Sequence, residues 1–313
     1  MSAAATSLDG WTPIRVHWRD EPVVEWCWTG TLAFSDPFFA ETIERALRRP
    51  YSLLFRRETP LDALDGLEPG LEPNGFVFHV SRCGSTLVSQ MLASVPQHLV
   101  LSEPHPVDHV LGRPAPEADR VRWLRGIVAA LGRARRGDER AYVLKLDAWH
   151  ACHLGTVRRA FPDVPWVFLF REPLEVLASQ LHHRGAHMVP GVIDPAVFGL
   201  DAGSIASMPQ EEYCARVLAA ICSAALQHRD EQALFLDYRE LPDAVSDRIL
   251  GAFGMDCDAT ERATMEHVAR FDAKNPVLPF TGDGDGGEIE VSAELRKAAE
   301  RWVRPIYEEL LAC

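Results

Sequence analysis

The chemistry-bearing residues of this chain crowd into one segment, FVFHVSRCGSTLVSQML at 76–92. A short apolar run enters a polar turn, Ser81-Arg82-Cys83-Gly84-Ser85-Thr86, and leaves it as a helix, with Leu87, Val88, Met91 and Leu92 at helical spacing. Such a strand–loop–helix gathers backbone N–H groups that have no intrahelical acceptor around one point. The helix dipole adds positive potential there, so the point suits an anion. Gly84 allows close backbone approach or a dihedral barred to other residues. Ser85 and Thr86 add hydroxyls, and Arg82 adds a fork of charged donors matched to phosphate or sulfate oxygens. The turn lacks the first Gly and the Lys of GxxxxGK[ST], and it is not GxGxxG; an ordinary ATPase and a nicotinamide dehydrogenase are therefore disfavoured. The plainer alternative is a strand–turn–helix whose glycine serves geometry alone.

A second segment, VFLFREPLEVLASQL at 167–181, has Arg171 at a strand end and Ser179 in the helix that follows. An arginine at the C-terminal edge of a parallel sheet stands where ligands bind in that architecture, and a nearby hydroxyl could converge on the same phosphate. The competing expectation is that Arg171 pairs with Glu172 or Glu175 and Ser179 merely packs.

HVSRCGSTLVSQML resembles the 5′-phosphosulfate-binding loop of the sulfotransferases, closer to the RSGTTL and RTGSTLL forms of the tyrosylprotein and carbohydrate branches than to the PKSGTTW form of the cytosolic phenol enzymes. Arg82, Gly84, Ser85 and Thr86 match residue by residue, and Cys83 takes the small position between Arg and Gly. Arg171 and Ser179 resemble the family's 3′-phosphate site, RxPxxxxxS. The resemblance is strongest over 75–180. It implies a P-loop-like three-layer α/β fold, 3′-phosphoadenosine 5′-phosphosulfate as donor, 3′-phosphoadenosine 5′-phosphate as product, and no required metal. FLDYREL at 235–241 resembles a late strand of the family, and RFDAKNP at 270–276 stands roughly where a late basic loop closes over the nucleotide, which makes Arg270 and Lys274 further candidate contacts. The cytosolic KGxxGDWKN-like signature is missing.

Sulfuryl transfer needs an aligned acceptor, charge stabilisation on the moving group, and a base. Arg82 and Lys145 are the candidate cations; Lys145 ends the apolar run YVLKL at 142–146. In cytosolic members the matching strand carries a catalytic histidine two residues after the lysine, and this chain has Asp147 there. Glu103, at the end of LVLSEP, is the preferred base, by its likeness to the glutamate base of the tyrosylprotein-like branch. Burial would raise its pKa and nearby cations would lower it. His105, Asp147 and His150 are runners-up, and the plainer role for Glu103 is an ion pair holding Arg82. His182, His183 and His187 read as lid or substrate contacts rather than metal ligands. Cys83, in an electropositive helix-start setting, is expected to have a depressed thiol pKa.

The elements that must hold these residues follow from patterning. Apolar strands at 76–80, 99–104, 142–146, 166–170 and 233–238 alternate with helical stretches, which predicts a central parallel sheet flanked by helices. Helices are expected near 86–95, 113–140, 149–160, 173–183, 211–229, 258–271 and 292–311. Residues 184–209 read as a lid or specificity loop and TGDGDGGE at 281–288 as a loop. Ahead of the main unit (75–313), residues 1–70 form an extension with loosely alternating strands around Trp11, Trp18, Trp26 and Trp28 and a capped helix after Ser35.

Composition bounds the rest. With 313 residues, 47% hydrophobic and 25% charged, the chain is globular, with length for a large core. A net charge of −13 argues against nucleic-acid binding by bulk charge, and the eight arginines between 113 and 140 read as a solvated helix face. Seven scattered cysteines without a CxxC pair make a disulfide framework or structural zinc site unlikely on spacing. The N-terminus has no signal-peptide pattern and no apolar run is long enough to span a bilayer, so the expectation is a cytoplasmic protein. The favoured reading is a transferase passing a sulfuryl group to a hydroxyl or amine of a small-molecule, carbohydrate or peptide acceptor. The alternatives are an atypical P-loop kinase and a noncatalytic nucleotide-binding protein.

Overall fold

In the computed structural model the described residues are 8–275, 278–279 and 291–313, so the 281–288 tract lies outside them. Two sheets organise the chain. Strands β1 (Trp11–His17), β2 (Val23–Trp28) and β3 (Arg57–Pro60) form a three-stranded sheet whose paired neighbours run antiparallel. Strands β4 (Gly75–His79), β5 (His98–Ser102), β6 (Ala141–Lys145), β7 (Trp166–Phe170) and β8 (Ala233–Asp237) form a five-stranded parallel sheet in the order β5-β6-β4-β7-β8. The protein is thus an α/β fold with a central parallel sheet between helices.

Continuous apolar runs are what a sheet covered on both faces requires. Strands β4 to β7 are buried at every position, and only β8, at the edge, is part-exposed at its start. The helices Ser85–Ala93, Glu117–Leu131, Leu154–Ala160, Pro173–His182 and Gln210–Gln227 turn their apolar stripes onto these faces.

Several boundaries differ from the patterning. The stretch expected as helix over 113–140 is helical only at Glu117–Leu131. Pro116 is its N-cap and Gly132 its C-cap, a position without room for a side chain because a Cβ there would meet the Leu71 carbonyl and the Tyr142 ring, both at 2.7 Å. The 149–160 stretch splits into a 3₁₀ turn, Ala148–His153, and a helix, Leu154–Ala160. The terminal helix is two, Ala293–Trp302 and Arg304–Leu311, because Pro305 in the first turn of the second cannot continue the first.

The parallel sheet positions the site by its connectivity. The chain leaves β4 for strands on one side of it and then crosses to β7 on the other, and ligands of open α/β sheets bind at such a reversal, beyond the strands' carboxyl ends. The small sheet reaches the helix after β5 through His109, whose Nδ1 accepts the Val16 N–H at 3.1 Å and whose carbonyl accepts from the Trp18 indole at 3.1 Å. Trp26 is wholly buried, Trp11 and Trp28 pack on each other and on Tyr51, and Trp18 packs on Trp123.

No helix among the described residues is long and apolar enough to cross a membrane.

Candidate active site

The turn after β4 is built from unusual backbone. Ser81 (φ 66°), Arg82 (φ 53°) and Gly84 (φ 80°) all sit in the left-handed region, which curls successive N–H groups inward. Gly84 is required there twice over: its φ disfavours an L side chain, and a Cβ would lie 2.6 Å from Leu241 Cδ1 and 3.1 Å from Tyr238 Cδ2. It is also the N-cap of the helix Ser85–Ala93, which has no side-chain cap and no acidic residue in its first turn. Its first N–H groups and the positive end of its dipole are left for a ligand.

A cleft of about 310 Å³ opens over this helix start, lined by Arg82, Gly84, Ser85, Thr86, Arg171, Ser179 and Tyr238, with Ala269, Phe271, Asp272, Ala273 and Lys274 from the late segment. The loop and the second motif, about 90 residues apart in the chain, therefore share one space. Arg171 holds the turn by donating from Nη1 to the Arg82 carbonyl at 3.3 Å, lies 4.3 Å above the Tyr238 ring, and pairs through Nε with Glu175 at 2.6 Å. The anticipated pairing is thus with Glu175; Glu172 is held by Arg304 at 2.6 Å. Arg82 donates to the His183 carbonyl at 2.7 Å, which ties the turn after β4 to the segment after the Ser179 helix. Burial lowers the Arg82 pKa from its ordinary value.

Of the two late cations, Lys274 lines the cleft and Arg270 does not. Lys274 is exposed as a residue, yet desolvation and the charges of Arg82 and Lys145 lower its ammonium pKa. The Cys83 thiol corrects an expectation. It is fully buried, donates to the Leu169 carbonyl at 3.3 Å, and is pushed up to about 12 by burial rather than depressed. Its side chain faces the sheet, so only its backbone is available to a ligand in the loop.

Glu103 follows β5 with φ 57°, and its N–H donates to the Lys145 carbonyl at 2.7 Å. Its carboxylate Oε1 accepts from Lys145 Nζ. Glu103 therefore pairs with Lys145, not with Arg82. Lys145 is buried at 1% exposure, and its ammonium lies 5.1 Å from the Phe38 ring, a contact supplied by the N-terminal region. Behind the pair, His150 donates from Nε2 to Asp108 at 2.9 Å, and Trp149 donates to the same oxygen at 2.8 Å. Burial opposes charge in this group. It raises the Asp147 carboxyl, with Glu103 and Asp108 adding to the rise. It would lower His150, but the hydrogen bond to Asp108 and the charge of Asp147 outweigh it and the net shift is upward. Asp108, despite its burial, is drawn down to about 2 by His150 and Trp149. His105 starts the helix His105–Leu111, edge-on to Phe39. His182 and His183 are exposed, while His187 is buried against Trp149 and brought down to about 4 by desolvation and by Arg82.

Sequence reasoning missed two participants. Phe38 carried no signal beyond an aromatic before a helix. His79 carried one: it is the polar last residue of an otherwise apolar strand. It is buried, and its Nδ1 accepts the Ser81 N–H at 2.9 Å.

Past the carboxyl ends of β4, β7 and β8, the Ser81–Gly84 turn, Arg171 and Tyr238 meet at the cleft, while the Glu103–Lys145 pair at the ends of β5 and β6 lies outside its lining. This is an α/β fold with a left-handed turn and an uncapped helix start at the reversal of its sheet. No protein-family profile matches the chain, and no curated protein matches it. The solved structures similar to it are mostly sulfotransferases. One is a sulfotransferase from Alicyclobacillus acidocaldarius (17% identity, 77% of this chain, 95% of that chain, TM-score 0.44). A second is sulfotransferase STF9 from Mycobacterium avium (13% identity, 80% and 78%, TM-score 0.47). A third is mouse sulfotransferase SULT7A1 complexed with PAP (11% identity, 80% and 88%, TM-score 0.41).

Proposed function

We propose that this protein is a sulfotransferase that passes the sulfuryl group of 3′-phosphoadenosine 5′-phosphosulfate to a hydroxyl or amine. The observation that carries the reading is the single cleft shared by Arg82, Gly84, Ser85 and Thr86 with Arg171 and Ser179. Two separated anion sites in one cleft suit a nucleotide that carries phosphate at both its 3′ and 5′ positions.

In this reading the loop N–H groups, Ser85, Thr86 and Arg82 hold the 5′-phosphosulfate, while Arg171 and Ser179 hold the 3′-phosphate, displacing Glu175. Lys274 covers the nucleotide from the cleft rim. The acceptor oxygen forms a bond to sulfur as the bond from sulfur to the phosphate oxygen breaks. The acceptor's proton goes to Glu103, and the products are a sulfate ester (a sulfamate where the acceptor is an amine, its nitrogen bonding sulfur) and 3′-phosphoadenosine 5′-phosphate. Both close contacts of the Glu103 carboxylate fall on Oε1, which supports Oε2 as the atom that takes that proton. Lys145 and Arg82 offset the charge that develops on the leaving phosphate. Lys145 is compromised in that role while it stays on Glu103. The acceptor is a small molecule, carbohydrate or peptide.

Calorimetric titration with 3′-phosphoadenosine 5′-phosphate, ADP and ATP–Mg²⁺, each repeated with Arg171→Ala, tests the reading. Binding of the 3′-phosphorylated nucleotide alone, lost in the variant, supports it. A preference for ATP–Mg²⁺ moves a kinase forward. Binding of the nucleotide without any consumption of the phosphosulfate donor leaves a noncatalytic binding protein.

A further inference from the structure

His79 is the last residue of β4 and only 4% exposed. Its Nδ1 is occupied as an acceptor by the Ser81 N–H, at the first left-handed residue of the anion loop. A neutral imidazole so engaged carries its hydrogen on Nε2. That nitrogen is buried and without a hydrogen-bond partner among the described residues, and it lies 3.7 Å from Glu103 Oε1, the same oxygen that Lys145 holds. The distance is too long for a hydrogen bond and short enough that a small shift closes it.

We propose that His79 is a positioning residue that ties the anion loop to Glu103: its Nδ1 side braces the turn, and its Nε2–H takes over Oε1 when bound donor draws Lys145 away. This rests on the sulfuryl-transfer reading above.

The physical case is one of donors and acceptors. Lys145 cannot serve the leaving phosphate and hold Glu103 fully at once. A partly buried carboxylate left without a donor is costly, and the His79 Nε2–H stands beside the oxygen that would be abandoned. The ring serves as a donor and not as a base. Its Nδ1 is spent on Ser81, and burial with the nearby charges of Lys145 and His187 holds its pKa well below the ordinary histidine value. No proton leaves His79 in the step; the acceptor's proton resides on Glu103 Oε2.

Two substitutions separate the two faces of the ring. Asn places a side-chain oxygen near the position of Nδ1, and Gln places an amide near Nε2. In His79→Asn the affinity for 3′-phosphoadenosine 5′-phosphate should stay within about twofold, while consumption of the phosphosulfate donor, with water or any acceptor, falls about tenfold or more. In His79→Gln nucleotide affinity should weaken about fivefold or more as the turn loses its brace. Nitrogen-15 NMR of labelled histidine in the wild-type protein supplies a readout that does not depend on either variant folding. It should show hydrogen on Nε2, with that signal moving when nucleotide is added. Hydrogen on Nδ1, or wild-type donor consumption in His79→Asn, overturns the proposal. Absence of nucleotide binding by the wild-type protein overturns the donor reading, whereas wild-type binding and turnover with both variants behaving alike overturns His79 only.

Discussion

Glu103 and Lys145 meet across the neighbouring ends of β5 and β6 through two bonds of different kinds. The Glu103 N–H donates to the Lys145 carbonyl at 2.7 Å, and the Lys145 ammonium returns a bond to Glu103 Oε1. The backbone bond continues the strand pairing by one residue, just where Glu103 turns left-handed at φ 57°. Non-glycine residues resist that conformation, and here it carries a carboxylate to an ammonium that is otherwise buried.

Glu103→Gln keeps the shape and removes the base. Donor consumption with a competent acceptor should fall by roughly 10²–10⁴-fold. Affinity for 3′-phosphoadenosine 5′-phosphate should change far less, because the carboxylate does not line the nucleotide cleft. Steady-state rates beside calorimetry separate the two. A variant that keeps its rate removes Glu103 from the chemistry.

Gly84→Ala should cost both stability and nucleotide binding. The left-handed φ disfavours any Cβ by about 1–2 kcal/mol, and the clash with Leu241 Cδ1 at 2.6 Å adds to that unless the leucine moves. Urea unfolding should register a loss of about 1–3 kcal/mol. Wild-type stability and affinity would show that the turn relaxes freely.

Glu175→Gln should tighten anion binding. The Glu175 carboxylate occupies Arg171 at 2.6 Å and is 55% exposed, so it competes with an incoming phosphate and is easily displaced. Removing its charge should improve affinity for 3′-phosphoadenosine 5′-phosphate severalfold at low salt, with a smaller gain at high salt as screening grows. An unchanged or weakened affinity would place the 3′-phosphate elsewhere.

Asp147→Asn should flatten the pH dependence of stability between about pH 4 and neutrality. Burial raises the Asp147 pKa above its ordinary 3.8, so the folded chain keeps a proton that the unfolded chain has lost. Its contribution therefore declines as pH climbs from about 4 through the raised value. His150, also raised, contributes below about 6.5 and loses that contribution as pH rises through its folded pKa. Asp108, drawn down to about 2, acts in the opposite direction: its contribution is present above 3.8 and lost as pH falls toward 2. Relative to wild type, Asp147→Asn should gain on the order of 1–3 kcal/mol between pH 5 and pH 8 in urea titrations. A constant difference across that range would contradict the burial argument.

Local patterning determined much of this protein. Continuous apolar runs announce the five parallel strands, because a sheet covered on both faces tolerates little else. A polar turn ending in Gly-Ser-Thr announces the strand–turn–helix, since backbone geometry acts within a few residues of chain. Arg171 and Ser179 stood out for the same reason, each at a fixed offset from a strand end. Tertiary structure decided which of these groups share a space and what each one faces. Glu103 and Lys145, 42 positions apart, carry no local signal of their contact, because strand order in the sheet brings them together. It likewise placed Lys274 on the cleft and Arg270 off its lining, and brought Phe38 over the buried ammonium. It also reversed the reading of Cys83. A helix start would favour a thiolate, but whether a side chain faces solvent or the sheet depends on packing, and desolvation of a fully buried thiol outweighs the dipole. Spacing along the chain governs what a backbone can do alone; burial and charge pairing are sums over neighbours that only the folded chain brings within reach.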